Sequence, residues 1–219
     1  MDPRTTTALL YLDGVTVSFD GFRALDNLSF TIEPGEMRAV IGPNGAGKTT
    51  MMDVVTGKTR PDAGDVYFDG TYDLSRLDET EIALLGIGRK FQKPTVFDMH
   101  TVEDNIALAL KGDRRARKTL FWQETNEELR RIDEILETIR LSPLRRRVAG
   151  MTDAETRQTV ELLKDINRHR TMVVVEHDMA FVRELGVKVT CLHEGSVLAE
   201  GTIDQVSQNE RVIEVYLGR

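Results

Sequence analysis

Apolar and polar positions along the chain follow two rhythms. "LLYLDGVTVSF" (9–19) and "LSFTI" (28–32) alternate, which predicts strands with one buried face. "MRAVIG" (37–42) predicts a short strand running into a glycine-rich turn, and "DVYFDG" (65–70) a further piece of sheet. "SRLDETEIALLG" (75–86) predicts a helix with Ile82, Leu84 and Leu85 on its apolar side and Gly86 as its stop. Residues 101–141 predict helices interrupted by the basic stretch "KGDRRARK", with Leu129, Ile132, Ile135, Leu136 and Ile139 at three- and four-residue spacing. "DAETRQTVELLKDINRH" (153–169) predicts another helix. "TMVVVEH" (171–177) has the continuous apolar run of a strand buried on both faces. "VKVTCLHEGSVLAEG" (187–201) predicts a hairpin turning at Glu194 and Gly195. Strands alternating with helices around an all-helical middle predict an α/β fold with a helical insertion.

Composition narrows the class. The 219 residues are 40% hydrophobic and 30% charged, which predicts a soluble globular chain with a real core. A net charge of −7 argues against a nucleic-acid partner, which would need a basic face. Cys191 is the only cysteine, so an internal disulfide is impossible and a reducing compartment is expected. No run approaches the ~18 apolar residues of a membrane span, and "MDPRTTTALLYLDG" lacks the ~7–15-residue apolar core of a signal peptide. Any membrane is therefore expected to be met through a partner.

The strongest chemical signal is "GPNGAGKTT", from Gly42 to Thr50, lying after a strand and opening a helix. Gly42, Gly45 and Gly47 let the backbone curl so that several backbone N–H groups of the loop face a phosphate. The following helix aims its positive end at the same place. Lys48 can reach the β- and γ-phosphates and the Thr49 hydroxyl can ligate Mg²⁺. The residues of this loop (Gly42, Pro43, Asn44, Gly45, Ala46, Gly47, Lys48, Thr49 and Thr50) form the expected ATP site. Without nucleotide the Lys48 head is expected to be solvated.

In order along the chain, "VSFDGFRALDNLSF", "IGPNGAGKTT", "GIGRKFQKPTVF" and "VVVEHDM" resemble the nucleotide-binding subunits of ATP-binding cassette (ABC) transporters, from about Leu10 onward. The likeness is closest to importers of branched-chain amino acids and, among those, of urea, to which the tail "NERVIEVYLG" adds. The resemblance implies a P-loop NTPase with a RecA-like core, an antiparallel β subdomain from about 8–35 and 62–70, and an α-helical subdomain at about 94–147. It implies Gln92 as a contact to Mg²⁺ and the attacking water, and His177 as the γ-phosphate sensor, against a core histidine or a metal ligand. It aligns Phe19 with the ring that stacks on adenine, with Phe22 as a rival and a plain core role as the alternative. The implied partners are a second cassette (identical or sister), transmembrane permease subunits and, indirectly, a periplasmic solute-binding protein. The implied place is the cytoplasmic face of the inner membrane.

Other features have blander explanations. The basic runs "RRARK" (114–118) and "LRRR" (144–147) fit solvated helix ends. Trp122 fits packing in the helical part. Phe97 and Met99 divide evenly between a core role and the rim of a groove that, in the family, takes a short helix of the membrane subunit.

One expected part is missing. Between the helical insert and "AGMTD" similar proteins carry a Leu-Ser-Gly-Gly-Gln-type signature, a helix and an apolar strand ending in Asp-Glu-Pro, about 30 residues in all. Here the chain runs straight across, with the join between Arg145 and Val148. Three functions stay open: the importer ATPase, a non-hydrolysing nucleotide-gated interaction module, and a soluble ABC ATPase outside transport.

Overall fold

The computed structural model describes residues 7–90, 97, 99–110, 125–139, 141–146 and 156–217. The chain divides into two compact units, one of Met1–Arg89 with Ile166–Arg219 and one of Lys90–Asp165.

The first unit holds two four-stranded sheets. In the antiparallel sheet, β1 (Leu10–Phe19) lies between β2 (Phe22–Ile32) and β4 (Ala63–Phe68), with the short β5 (Tyr72–Asp73) beyond β4. Leu10, Leu12, Val15 and Val17 are all buried, although their spacing changes phase in the middle of β1. A register shift between Leu12 and Val15 at Gly14 (φ 59) resets the pleat. Asn27 (φ 52) does the same on β2, which is why only 28–32 alternates cleanly while the strand begins at Phe22.

The second sheet has the order β6-β3-β7-β8. Its β3 (Met37–Ile41) runs parallel to β6 (Met172–Val175) and to β7 (Lys188–His193), which turns back into β8 (Ser196–Gly201). Glu194 (φ 47) and Gly195 (φ 77) make that turn. All five residues of β3 are buried, as a parallel strand covered on both faces requires. Val40 faces a core with Leu12, Leu28, Leu192 and, from α1 (Lys48–Val55), Met51 and Val54. Ala39 and Ile41 face the other way. They pack with Val182 of α6 (Met179–Leu185), Ile203 and Val206 of α7 (Ile203–Ser207), and Val212 of α8 (Glu210–Leu217). Arg38 of β3 is itself buried, but it pairs with Glu36 and Glu200 and donates to the Thr190 hydroxyl, so its charge is not buried alone.

Two expectations fail here. β6 was expected to be buried on both faces, yet all four residues are only half-buried; among the described residues it is an edge strand paired with β3 alone. The single helix over 75–86 is instead a 3₁₀ turn (Leu74–Arg76) followed by α2 (Glu79–Leu84). Asp78 caps α2 in a reciprocal box with Glu81, which starts the helix late. Ile82 is buried but Leu84 is 72% exposed.

In the second unit α3 (Val102–Ala109) packs against α4 (Asn126–Thr138) through Ala107, Ile132 and Leu136, with Val102, Ile106 and Leu141 around them. Capping boxes at Thr101–Asp104 and Thr125–Glu128 start both helices. Arg145 is no solvated helix end. Its guanidinium pairs with Glu103 of α3 and Asp133 of α4, and its carbonyl accepts the Glu103 N–H at 3.0 Å. A further helix, α5 (Thr156–Asn167), buries Val160. No helix among the described residues is long and apolar enough to cross a membrane.

Candidate functional site

β3 leads directly into the loop of residues 42–47, and α1 starts at Lys48. Gly47 caps that helix in the left-handed region (φ 96). A Cβ there would lie 2.6 Å from the Ala24 carbonyl and 2.8 Å from a Leu25 methyl, so β2 passes too close for any other residue. The loop closes on itself through the Ala46 N–H, which donates to the Pro43 carbonyl at 3.2 Å. The first helical bond runs from the Met51 N–H to the Gly47 carbonyl at 2.8 Å. The N–H groups of Lys48, Thr49 and Thr50 precede it, and no side chain caps this end. They sit at the positive end of the helix, with Asn44, Gly45 and the Thr49 side chain exposed beside them. Such an arrangement can hold an anion with backbone groups alone.

Lys48 departs from expectation. Its ammonium is not solvated but donates to the carbonyls of Gly42 at 2.6 Å and Pro43 at 2.8 Å. Burial pulls its pKa below the ordinary value. Burial also pushes the Cys191 thiol nearby up to about 11, so it stays neutral. The lysine thus fills the hollow of its own loop with one positive charge, and an arriving phosphate would exchange carbonyl partners for oxyanions.

Gly195, visible in the sequence only as a turn residue, buttresses the loop. Its N–H donates to the Ala46 carbonyl at 3.2 Å and its carbonyl accepts the Asp26 N–H at 3.1 Å. The Ser196 hydroxyl donates to the Asp26 carbonyl at 2.5 Å. The only sequence cue was a glycine at a hairpin tip, which does not say what the tip touches.

His177 stands at the end of the sheet where the loop begins. Val40 and Val175 are register partners, and the Glu176 N–H donates to the Val40 carbonyl at 3.2 Å. The His177 side chain is 88% exposed and its Nδ1 lies 3.7 Å from a Glu176 carboxylate oxygen. It is therefore no core histidine, and no group of three or more His, Cys, Asp or Glu able to hold a metal exists among the described residues. Phe19 and Phe22 pair across the tip of the β1–β2 hairpin, 49% and 64% exposed, so neither has a core role. Phe97 and Met99 are likewise exposed.

Gln92, Trp122 and the run 114–118 lie outside the described residues, as do Arg147 and Val148 of the join. The chain leading toward Gln92 is anchored: the Arg89 guanidinium pairs with Asp53 of α1. Of the two expected Mg²⁺ ligands, only Thr49 lies among the described residues.

Comparison with known proteins agrees with this geometry. Residues 25–176 match the family model described as ABC transporter, and residues 196–219 match one described as branched-chain amino acid ATP-binding cassette transporter. The chain is 28% identical over 250 residues to the high-affinity branched-chain amino acid transport ATP-binding protein LivG of Escherichia coli (strain K12), covering 96% of this chain and 98% of that protein. It is 28% identical over 256 residues to the probable branched-chain amino acid transport ATP-binding protein LivG of Methanocaldococcus jannaschii, covering 98% and 99%. Among solved structures, a nucleotide-free ATP-binding cassette from an ABC transporter superposes with a TM-score of 0.81 at 24% identity, covering 97% of this chain and 100% of that one, which speaks to the fold. The ADP conformation of another ABC transporter cassette gives 0.77 at 26% identity, with 98% and 100% covered.

Proposed function

The chain belongs to the ABC transporter family, and from that premise we propose that it is the ATP-binding and ATP-hydrolysing subunit of an importer for branched-chain amino acids. The observation that carries this is the phosphate loop: a helix end with no side-chain cap, Gly47 in the left-handed region just before it, and Lys48 held in the hollow. The names of the relatives and the C-terminal match support the branched-chain cargo. Urea retains only the overall likeness of the motifs.

In this reading the N–H groups of the loop and of the first turn of α1 bind the phosphates of ATP, and Lys48 turns from its two carbonyls to the β- and γ-phosphates. Mg²⁺ would neutralise phosphate charge when bound, with Thr49 and Gln92 as its ligands. His177 contacts the γ-phosphate, and Phe19 stacks on adenine, with Phe22 beside it. Two cassettes, identical or sister, sandwich the nucleotides, and in complete cassettes each loop would be closed by the signature of its partner. Permease subunits hold the pair at the cytoplasmic face of the inner membrane, with Phe97 and Met99 at the rim of the groove that takes their short helix. A periplasmic binding protein delivers the cargo.

We further infer that hydrolysis in this subunit needs a segment that the 219 residues lack, so that by themselves they do not hydrolyse ATP: they hold no Leu-Ser-Gly-Gly-Gln-type signature and no apolar strand ending in Asp-Glu. Two observations support an internal gap. The half-buried Met-Val-Val-Val of β6 sits at a sheet edge. The LivG alignment runs over 250 residues, whereas 96% of 219 is about 210, so some 40 positions face no residue of this chain. Lys48→Ala tests the nucleotide reading: ADP affinity by calorimetry should fall at least about tenfold. Equal affinity in variant and parent would overturn it.

A further inference from the structure

Three stretches of backbone meet at one junction: residues 24–26 of β2, Ala46 and Gly47 of the phosphate loop, and Gly195 with Ser196 at the tip of the β7–β8 hairpin. The junction originates in the pairing of β1 with β2. Leu25 is the register partner of Val17 and Leu28 that of Val15, so Asp26 and Asn27 together oppose Thr16 alone. This two-against-one bulge leaves Asp26 without a register partner on β1. Both backbone groups of Asp26 go to the hairpin tip instead. Its N–H donates to the Gly195 carbonyl at 3.1 Å, and its carbonyl accepts the Ser196 hydroxyl at 2.5 Å. On the loop side, the Gly195 N–H donates to the Ala46 carbonyl at 3.2 Å. No side chain fits between the three stretches. A Cβ on Gly195 would lie 2.7 Å from the Leu25 α-carbon and 2.8 Å from the Asp26 nitrogen, and one on Gly47 would lie 3.2 Å from the Gly195 α-carbon. The Ser196 hydroxyl thus bonds the β2 side, whereas Gly195 bonds both sides. Four residues before Asp26, β2 begins at Phe22, the register partner of Phe19 at the exposed end of the β1–β2 hairpin.

We propose that Gly195 and Ser196 are positioning residues that lock β2 to the phosphate loop, so that the rings of Phe19 and Phe22 and the N–H groups of the loop keep a fixed spacing and act together on one nucleotide. Neither residue touches substrate. Their contribution is pre-organisation, because a base contact and a phosphate contact set in advance at the right spacing cost less ordering when one ligand bridges them. The lock rests on the hydrogen bonds and close approaches of the junction alone. The coupling of base to phosphate rests on the nucleotide reading above.

Ser196→Ala separates the two sides, since it removes the bond to β2 and keeps the Gly195 bond to Ala46. In the full chain without nucleotide, hydrogen exchange should speed up in peptides covering residues 22–28 and stay unchanged in those of β3. ADP affinity by calorimetry should fall about three- to tenfold, the loss expected for one hydrogen bond. Inorganic pyrophosphate, which carries no base, should bind variant and parent alike. Ser196→Thr keeps a hydroxyl and should restore both readouts. Gly195→Ala, strained at φ 77 and pressed from both sides, should weaken ADP and pyrophosphate together. Unchanged exchange at 22–28 in Ser196→Ala overturns the lock, and so does a uniform loss of protection across the unit, which would make the tip ordinary packing. A folded Gly195→Ala that binds pyrophosphate like the parent overturns its loop side. Equal losses of ADP and pyrophosphate in Ser196→Ala, or no loss of either, overturn the coupling. If Lys48→Ala loses ADP while Ser196→Ala does not, the coupling is wrong and the nucleotide reading stands. If the parent itself binds no ADP, the nucleotide reading falls and takes the coupling with it, and the exchange experiment still decides the lock.

Discussion

Single residues carry their chemistry here in proportion to how local it is. The glycines of the phosphate loop are legible because the conformation they permit is needed within a few residues of where they stand. The place of Lys48 at the loop was legible, but not its resting position on two carbonyls of that loop, since a folded-back side chain leaves no mark in spacing. Gly195 acts on the loop from about 150 residues further along the chain, and it has no pattern that says so. His177 lies between these cases, because a polar residue after a run of valines marks a strand end. Its exposure leaves it open to a ligand. His177→Ala, in a complete transporter complex, should therefore cut ATP turnover at least about a hundredfold, in the range of a lost electrostatic contact to the transition state. ADP affinity should stay within about twofold, since ADP lacks the γ-phosphate; isothermal titration beside a turnover assay checks both. A variant that loses ADP and ATP alike would mean that the histidine holds the strand end in place.

At the scale of elements, alternation was a reliable guide only between bulges. β1 and β2 each change phase once, at Gly14 and Asn27, and a period-2 pattern cannot be followed across a residue that breaks the pleat. The helix at 75–86 misled for a related reason: Asp78 makes a better cap than the serine at 75 makes a start, so the first turn becomes 3₁₀ and Leu84 swings out. In the helical unit the basic "LRRR" suggested a solvated end, whereas Arg145 ties α3 to α4 through Glu103 and Asp133. A pH dependence follows. The Arg145 guanidinium holds the Glu103 carboxyl below its ordinary value of 4.5. A depressed carboxylate adds stability that is present above the unfolded pKa and is lost as pH falls through the folded one. Arg145→Ala should cost the helical unit about 1 kcal/mol at pH 7. It should also flatten the fall in stability below pH 4.5, because Glu103 then titrates alike in both states. Urea unfolding followed by circular dichroism at pH 7, 5 and 3.5 measures this; parallel pH profiles for variant and parent would remove the clamp from the account.

For the whole molecule the decisive strand is β6. A run of Met-Val-Val-Val is written for a position covered on both faces and paired on both edges, as β3 is, yet among the described residues it has one neighbour and its four side chains are only half-buried. The fold class was legible from the order of strands and helices, and the gap was legible from what the resemblance led one to expect between Arg145 and Val148. What could not be read in advance was which strand would bear the cost, because that depends on sheet order rather than on sequence order. With β6 at the edge, a returned strand has a place to pair: the open side of β6. We therefore expect that inserting a signature, its helix and a strand ending in two carboxylates at the Arg145–Val148 join, about 30 residues, does three things together. It should raise the unfolding midpoint, since apolar faces of β6 become covered and its unpaired backbone groups gain partners. It should allow two copies to close on ATP, visible as dimer in light scattering. It should bring ATP turnover above background in a manner that Lys48→Ala abolishes. The 219-residue chain, with its length verified by intact mass, should do none of these. If that chain unfolds cooperatively at the midpoint of the extended one and turns over ATP in a Lys48-dependent way, the gap carries no catalytic loss. The water-orienting carboxylate would then have to be sought beside the histidine, at Glu176 or Asp178.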